Sequence, residues 1–449
     1  MTTEKPAASV EPAVDSRRPP DPTVVALRHE RNPLKMFTKI LGPGLVTGAS
    51  DDDPSGIGTY AQAGAAYGYA TLWTAVAMLP MMISVQYICA KIGLVNGRGL
   101  AGVLREHYPR WVLYPAVLTL VVANTINAGV DIGAIAAAIN LLVPIPAIFA
   151  IVPISVGILA LQAFGSYRLI ARVFKWLTLA LLAYIAAALF ARPDWAAVLR
   201  GTLIPTIELN PKFIGILVAL LGTTISPYLF FWQANQEVDE QMAMGRRRLW
   251  QRQGASRTEL RYALADTVSG MVFSGVVAYF IILASGATLF VSGQHTIGTA
   301  TDAAIALRPV AGDLSAALLA LGLIGAGVLA VPILTTSAAS GVSEAAGWKF
   351  GLDQKASKAP QFYAIVIAAT VVGMVINFLG INPITALVVT AVINGLLAAP
   401  LLVLVMLVSN NPKVMGERVN TRRLNVLGWG TTAVMAIAAI ALVVITIAG

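Results

Sequence analysis

Charge is scarce in this chain. Only 12% of its 449 residues are Asp, Glu, Lys or Arg, about half of the roughly 25% carried by an ordinary soluble domain. That deficit argues against a water-soluble globular protein and for a polytopic membrane protein. Cysteine is nearly absent, Cys89 being the single one. No intramolecular disulfide can form and a Cys-rich metal cage is excluded, which leaves Cys89 as a small buried hydrophobe. Histidine is limited to His29, His107 and His295. All three lie outside the apolar runs, so no imidazole in the core is available to shuttle protons. Neither a nucleophile–base set, a phosphate loop nor a nucleotide fold is recognisable, and the chain reads as a non-enzyme with no cofactor.

What is abundant is hydrophobic sequence, at 57%. Runs near the 20 residues that cross a bilayer recur along the whole length. Eleven are expected: 41–65, 69–93, 112–141, 144–164, 172–191, 213–235, 262–288, 312–340, 362–380, 384–408 and 426–448. The formal charge of +9 suggests nucleic acid, but its placement speaks against that partner. With the N-terminus in the cytoplasm, only Arg192, Arg200, Lys212 and Arg308 of the 31 Lys and Arg fall outside. The positive-inside rule then sets the N-terminus in and the C-terminus out. Arg246-Arg247-Arg248 reads as a topology determinant on a cytoplasmic loop, in preference to a lipid or partner site. Residues 1–35, rich in Pro, Ala and charge, read as a disordered cytoplasmic tail and not as a cleavable signal. A multi-pass protein of a cell membrane, such as the bacterial inner membrane, is expected, with no obligate protein partner.

Two of the runs interrupt themselves. The first contains Gly48-Ala49-Ser50-Asp51-Asp52-Asp53-Pro54-Ser55-Gly56, three carboxylates in place of apolar filler. A charge at bilayer depth costs at least about 2.5–3.5 kcal/mol, so it is retained beside water, a partner or a cation. The sixth contains Gly222-Thr223-Thr224-Ile225-Ser226-Pro227. Each interrupted run opens a set of five spans. An odd-numbered set inserted twice takes opposite orientations, and matched broken helices in such repeats point to a central substrate site. The expected architecture is all-α, a 5 + 5 inverted repeat with an eleventh helix. Its first repeat covers 36–192 and its second covers 193–408. Residues 409–449 form a cytoplasmic loop and the last helix.

The chemistry of the gap is hard oxygen. Asp53 precedes a proline, which pushes it out of helical geometry, so its carboxylate can face the sixth span. Thr223, Thr224 and Ser226 offer hydroxyls there, and their neighbours offer freed carbonyls. Such donors suit Mg²⁺, Mn²⁺ or Ca²⁺ better than copper or zinc. Asp51 and Asp52 read either as outer groups of the same site or as vestibule residues. Asp131, in the third span, reads as part of the ion's path or outer shell, against a hydrogen-bonded packing acid. Asp266 is open between a snorkelling pair with Arg261 and a transport role. Asn394 reads more readily as interhelical glue than as a ligand. The polar stretch Gln233, Gln236, Glu237, Asp239 and Glu240 reads as a solvated helix end in preference to a cation exit.

With Gly42-Pro43-Gly44, Asp53-Pro54-Ser55-Gly56 and Gly222–Pro227, the chain resembles the Nramp superfamily of divalent-metal transporters over roughly residues 36–448. The resemblance implies the leucine-transporter fold. It places the family's aspartate on Asp53, its asparagine ligand on Gly56 and its alanine carbonyl on Thr223. The family's methionine falls on Ser226, its histidine on Tyr228 and the glutamate of its proton route on Asp131. Loss of the thioether removes the soft ligand that favours transition metals, and loss of the asparagine widens the site. This combination is similar to the Nramp-related magnesium transporters, which implies Mg²⁺ and Mn²⁺ transport by alternating access without proton coupling. The alternative is a proton-coupled Mn²⁺ or Fe²⁺ importer of the ordinary type. An amino-acid symporter on the same fold is disfavoured because Asp53 would repel the substrate carboxylate. A channel is disfavoured by the internal repeat.

Overall fold

A computed structural model of the chain describes residues 42–164, 182–352, 354 and 356–448. The expected N-terminal tail lies outside the described residues. The first interrupted run forms two helices, α1 (Pro43–Asp51) and α2 (Pro54–Tyr67). Next come α3 (Leu72–Asn96), α4 (Arg110–Leu142), α5 (Ala147–Phe164) and α6 (Leu182–Phe190). The second interrupted run forms α7 (Pro211–Thr224) and α8 (Pro227–Ala243). The bundle closes with α9 (Arg257–Ser285), α10 (Ser315–Ala346), α11 (Pro360–Ile376), α12 (Pro383–Asn410) and α13 (Arg422–Ala448). Part of the expected fifth span, at 172–181, lies outside the described residues.

Among the described residues, eight helices are long and apolar enough to cross a membrane, counting Pro54–Asn96 as one. Helix ends overrun the apolar windows where a cap, and not the first charge, sets the boundary. Helix α9 starts at Arg257 because Ser256 and Glu259 form a reciprocal capping box. Asn210 and Asn382 likewise cap α7 and α12 ahead of a proline in the first turn. The Arg246 side chain is buried, donating to Glu259 at 2.8 Å. It is a structural ion pair, whereas Arg247 and Arg248 are exposed.

The broken helices occupy the middle. Helix α2 packs against α9, α12 and α7, and α8 packs against α3 and α1. Helices α4 and α10 run side by side along the bundle, and α13 sits against α7 and α12 with most of its surface exposed. Close seating of α1 on α9 depends on small residues four apart, Gly44 and Gly48. A methyl group on Gly48 would collide with the Gly270 backbone of α9, and one on Gly44 with the Thr267 backbone.

The same pair of helices resolves Asp266. Its carboxylate accepts the N–H groups of Gly42 (2.8 Å), Gly44 (2.6 Å) and Leu45 (3.1 Å). These are the orphan donors of the first turn of α1, whose own cap residue, Gly42, has no side chain to offer. Asp266 is thus a helix cap supplied by another helix, favoured by the dipole as well. Asp266→Ala should destabilise the purified protein by about 2 kcal/mol or more, since hydrogen bonds to a charged group contribute roughly 1.5–3 kcal/mol. A thermal-unfolding midpoint equal to that of the unmodified protein would show that α1 is held by packing alone.

Candidate metal site

Both interruptions have the same construction. Asp53 is extended (φ −69°, ψ 170°) before Pro54, and Ser226 is extended (φ −75°, ψ 138°) before Pro227. The residue before a proline avoids helical geometry, and proline suits the first position of the next helix. In each case the chain leaves one helix, takes two non-helical residues and restarts. The breaks therefore sit where Asp-Pro and Ser-Pro place them.

Asp53 is buried and caps α2, its Oδ1 accepting the Gly56 N–H at 2.7 Å. Its Oδ2 accepts the Asn127 Nδ2 of α4 at 3.0 Å. Three oxygens converge beside the bare Cα of Gly56. A methyl group built there would lie 3.2 Å from the Asp51 carbonyl, 3.3 Å from the Thr223 hydroxyl and 3.4 Å from Asp53 Oδ1. One oxygen comes from α1, one from the break and one from α7, so the small cradle spans both broken helices. The Ser55 hydroxyl lies 3.4 Å from that of Thr223. Absence of a side chain on Gly56 is what leaves the cradle open.

Further contacts tie the two broken helices together. Tyr228 donates its hydroxyl to the Ser50 carbonyl at 2.8 Å, so a freed carbonyl of α1 is satisfied by α8. Thr47 donates to Gln233 Oε1 one turn further along, and Gln233 donates to Glu237. Tyr60 and Thr224 hydroxyls meet at 3.1 Å between α2 and α7. Ser226 turns its hydroxyl back on its own break and donates to the carbonyls of Gly222 (2.8 Å) and Thr223 (2.7 Å).

The residues singled out from the sequence fall into three groups. Asp53, Gly56 and Thr223 come together in one cradle, with Ser226 immediately behind it, closing the carbonyls of α7. Asp51 contributes its backbone oxygen there, but its carboxylate faces the other way. Ser274 of α9 donates to Asp51 Oδ2 at 2.7 Å and lies 3.2 Å from Asp52 Oδ1. Both side chains are fully buried, not lining an open vestibule. Asp131, buried on α4 beside the Ser55 backbone, lies within electrostatic reach of Asp53. The polar end of α8 borders a cavity of about 540 Å³ with α10, lined among others by Asn235, Gln236, Asp239, Thr336 and Ser340. Among the described residues, no cluster of three His, Cys, Asp or Glu side chains could by itself hold a metal. Any cation at the cradle would rely on one carboxylate and neutral oxygens.

Asn127 and Ser274 were not assigned roles from the sequence. Asn127 precedes Asp131 by four residues and so shares its face of α4, which is a signal the sequence did carry. Ser274 has no such signal, since one serine in an apolar helix is unremarkable.

Comparison with known proteins gives the family and the fold. The family model described as "Natural resistance-associated macrophage protein-like" (Nramp) matches residues 44–445. The divalent metal cation transporter MntH of Klebsiella pneumoniae subsp. pneumoniae is 28% identical over 407 residues, covering 89% of this chain and 92% of that protein. MntH of Yersinia pestis is 28% identical over 417 residues, covering 90% and 94%. In structure, the chain resembles the Eremococcus coleocola manganese transporter, with TM-score 0.75 at 16% identity over 93% of this chain and 88% of that one. The nucleobase-cation-symport-1 transporter Mhp1 shares the fold at TM-score 0.56 and 14% identity, covering 90% and 91%. The fold is thus the leucine-transporter fold that the resemblance implied, and the chain belongs to the Nramp family of membrane transporters for divalent metal cations.

Proposed function

We propose that this protein moves Mg²⁺ and Mn²⁺ across a bacterial inner membrane by alternating access, without coupling to protons. The observation that carries this reading is the convergence of the Asp51 carbonyl, the Thr223 hydroxyl and Asp53 Oδ1 beside Gly56. All three donors are hard oxygens, and one carries charge. Transition-metal selectivity draws on sulfur or nitrogen ligands, whereas the positions flanking the second break hold Ser226 and Tyr228. Mg²⁺ dehydrates reluctantly and keeps several waters in protein sites. A cradle with one carboxylate and an open face at Gly56 suits such an ion.

Proton coupling needs a group that titrates near neutral pH. An ordinary phenol titrates near 10, and the Tyr228 hydroxyl is engaged by the Ser50 carbonyl. In this reading Asp131 belongs to the ion's path or outer shell. The positive-inside arrangement supports a cytoplasmic N-terminus and an external C-terminus. The names of the relatives point to a divalent metal cation, manganese in one case, as cargo; the second reading is a proton-coupled Mn²⁺ or Fe²⁺ importer, in which Asp131 would serve the proton.

Uptake into proteoliposomes separates the two. Excess Mg²⁺ should suppress Mn²⁺ uptake, and the lumenal pH should stay constant as Mn²⁺ enters. Indifference to Mg²⁺ together with lumenal acidification would establish the proton-coupled importer instead. In the same assay, Asp53→Ala should reduce uptake of both ions to background while the protein remains monodisperse in detergent.

Selectivity has its own test. Gly56→Asn combined with Ser226→Met should raise the preference for Mn²⁺ over Mg²⁺ by about tenfold, roughly 1.4 kcal/mol of differential binding. Unchanged Mg²⁺ competition in that double variant would mean that selectivity is set elsewhere.

A further inference from the structure

Asn124 and Asn127 lie buried on α4 and the half-buried Asn377 follows α11; Asn124 and Asn377 act as ordinary glue. Asn124 donates to the Leu334 carbonyl of α10 at 2.8 Å, and Asn377 donates to the Gly129 carbonyl at 2.7 Å. Both join one helix to another through backbone oxygens. Asn127 differs. Its amide nitrogen donates to a side chain, Oδ2 of Asp53, on the broken helix. Its amide oxygen faces the Nδ2 of Asn394 on α12, 3.5 Å away. Asn127 is fully buried and Asn394 is 2% exposed, so neither amide has bulk water as a partner.

We propose that Asn127 and Asn394 are positioning residues for the transported cation. They form a two-amide relay that fixes the Asp53 carboxylate from α4 and α12. The inference rests on the reading of Asp53 as an ion ligand. An amide has distinct donor and acceptor ends. With Asn394 donating to its oxygen, the Asn127 amide presents its NH₂ to Asp53. The Gly56 N–H meanwhile holds Oδ1. Each carboxylate oxygen is thus held by a protein donor, with the Ser55 hydroxyl and N–H also close to the carboxylate, and its remaining lone pairs can face a cation. Rotation of the carboxylate is blocked from both sides. The relay also fixes that carboxylate relative to two helices outside the broken pair, so ion affinity depends on how α2 sits against α4 and α12.

Groups that orient a metal ligand without touching the metal typically cost 10–100-fold in affinity when removed. The experiment is calorimetric titration of Mn²⁺ into the purified protein, paired with uptake kinetics in proteoliposomes. Asn127→Leu, similar in volume but without a donor, should weaken Mn²⁺ binding about tenfold or more. The KM for uptake should rise in parallel while the maximal rate is nearly unchanged. Asn394→Leu should weaken binding less. Combining the two should be no worse than Asn127→Leu alone, because Asn394 acts only through Asn127 and coupled residues are non-additive. Unchanged affinity in either single variant, or effects that multiply in the double variant, would overturn the relay. Should Asn127→Leu not survive purification, the affinity of Asn394→Leu decides the matter alone. Asp53→Ala separates the two levels. If it binds Mn²⁺ normally, the site itself is misplaced. If it loses binding while both asparagine variants bind normally, only the relay is wrong.

Discussion

A carboxylate enclosed in an apolar bundle must be satisfied by donors or by a cation, and Asp53 has a protein donor on each oxygen, with Ser55 close by. That arrangement requires the helix to be broken. An unbroken helix would leave no free N–H at Gly56 to hold Oδ1 and no extended residue to aim the side chain. The Asp-Pro step supplies both, since it bars helical geometry at Asp53 and restarts the helix one residue later. Ser-Pro does the same at Ser226. The two breaks then expose carbonyls at the same level, and these are closed by Tyr228 from the other broken helix and by Ser226 from its own.

The remainder of the bundle brings those breaks together and holds them there. Bare glycines let α1 lie directly on α9, and Asp266 gathers the free N–H groups at the start of α1. Gly222 gives α7 a similarly close seat on α12, where a side chain would strike Ala391 and Gly395. Asp51 and Asp52, which flank the cradle, are drawn toward Ser274 of α9 and away from Asp53. One interruption therefore distributes its three carboxylates over two faces. Asp51 and Asp52 share one serine hydroxyl, so repulsion persists between those two neighbours.

Much of this was legible in the sequence, for identifiable reasons. The breaks at Asp53-Pro54 and Ser226-Pro227 are local, because proline acts on its immediate neighbours. Span positions follow from apolar runs, which depend on composition and not on partners. The approach of Asp53 to Thr223 was legible from the matched breaks, whereas Gly56 entered only through the family resemblance. What was not legible depends on side-chain direction. Asp51 sends its carbonyl into the cradle and its carboxylate out of it, a distinction that one-letter sequence cannot express. Asp266 lies near Arg261 in the chain, yet its partners are backbone groups some 220 residues away. Arg246 belongs to a basic run, but pairs in the interior with Glu259. Asn127 shows the intermediate case, since its spacing from Asp131 placed it on the right face without naming its partner.

The central claim is that the two breaks together cradle a doubly charged cation on oxygen donors. The most direct measurement is anomalous diffraction at the manganese edge from crystals grown with Mn²⁺. The account predicts a peak between Asp53 and Thr223, beside Gly56, at about 2.2 Å from the carboxylate or one water further away. A well-occupied peak elsewhere in the bundle, with the gap beside Gly56 empty, would contradict it.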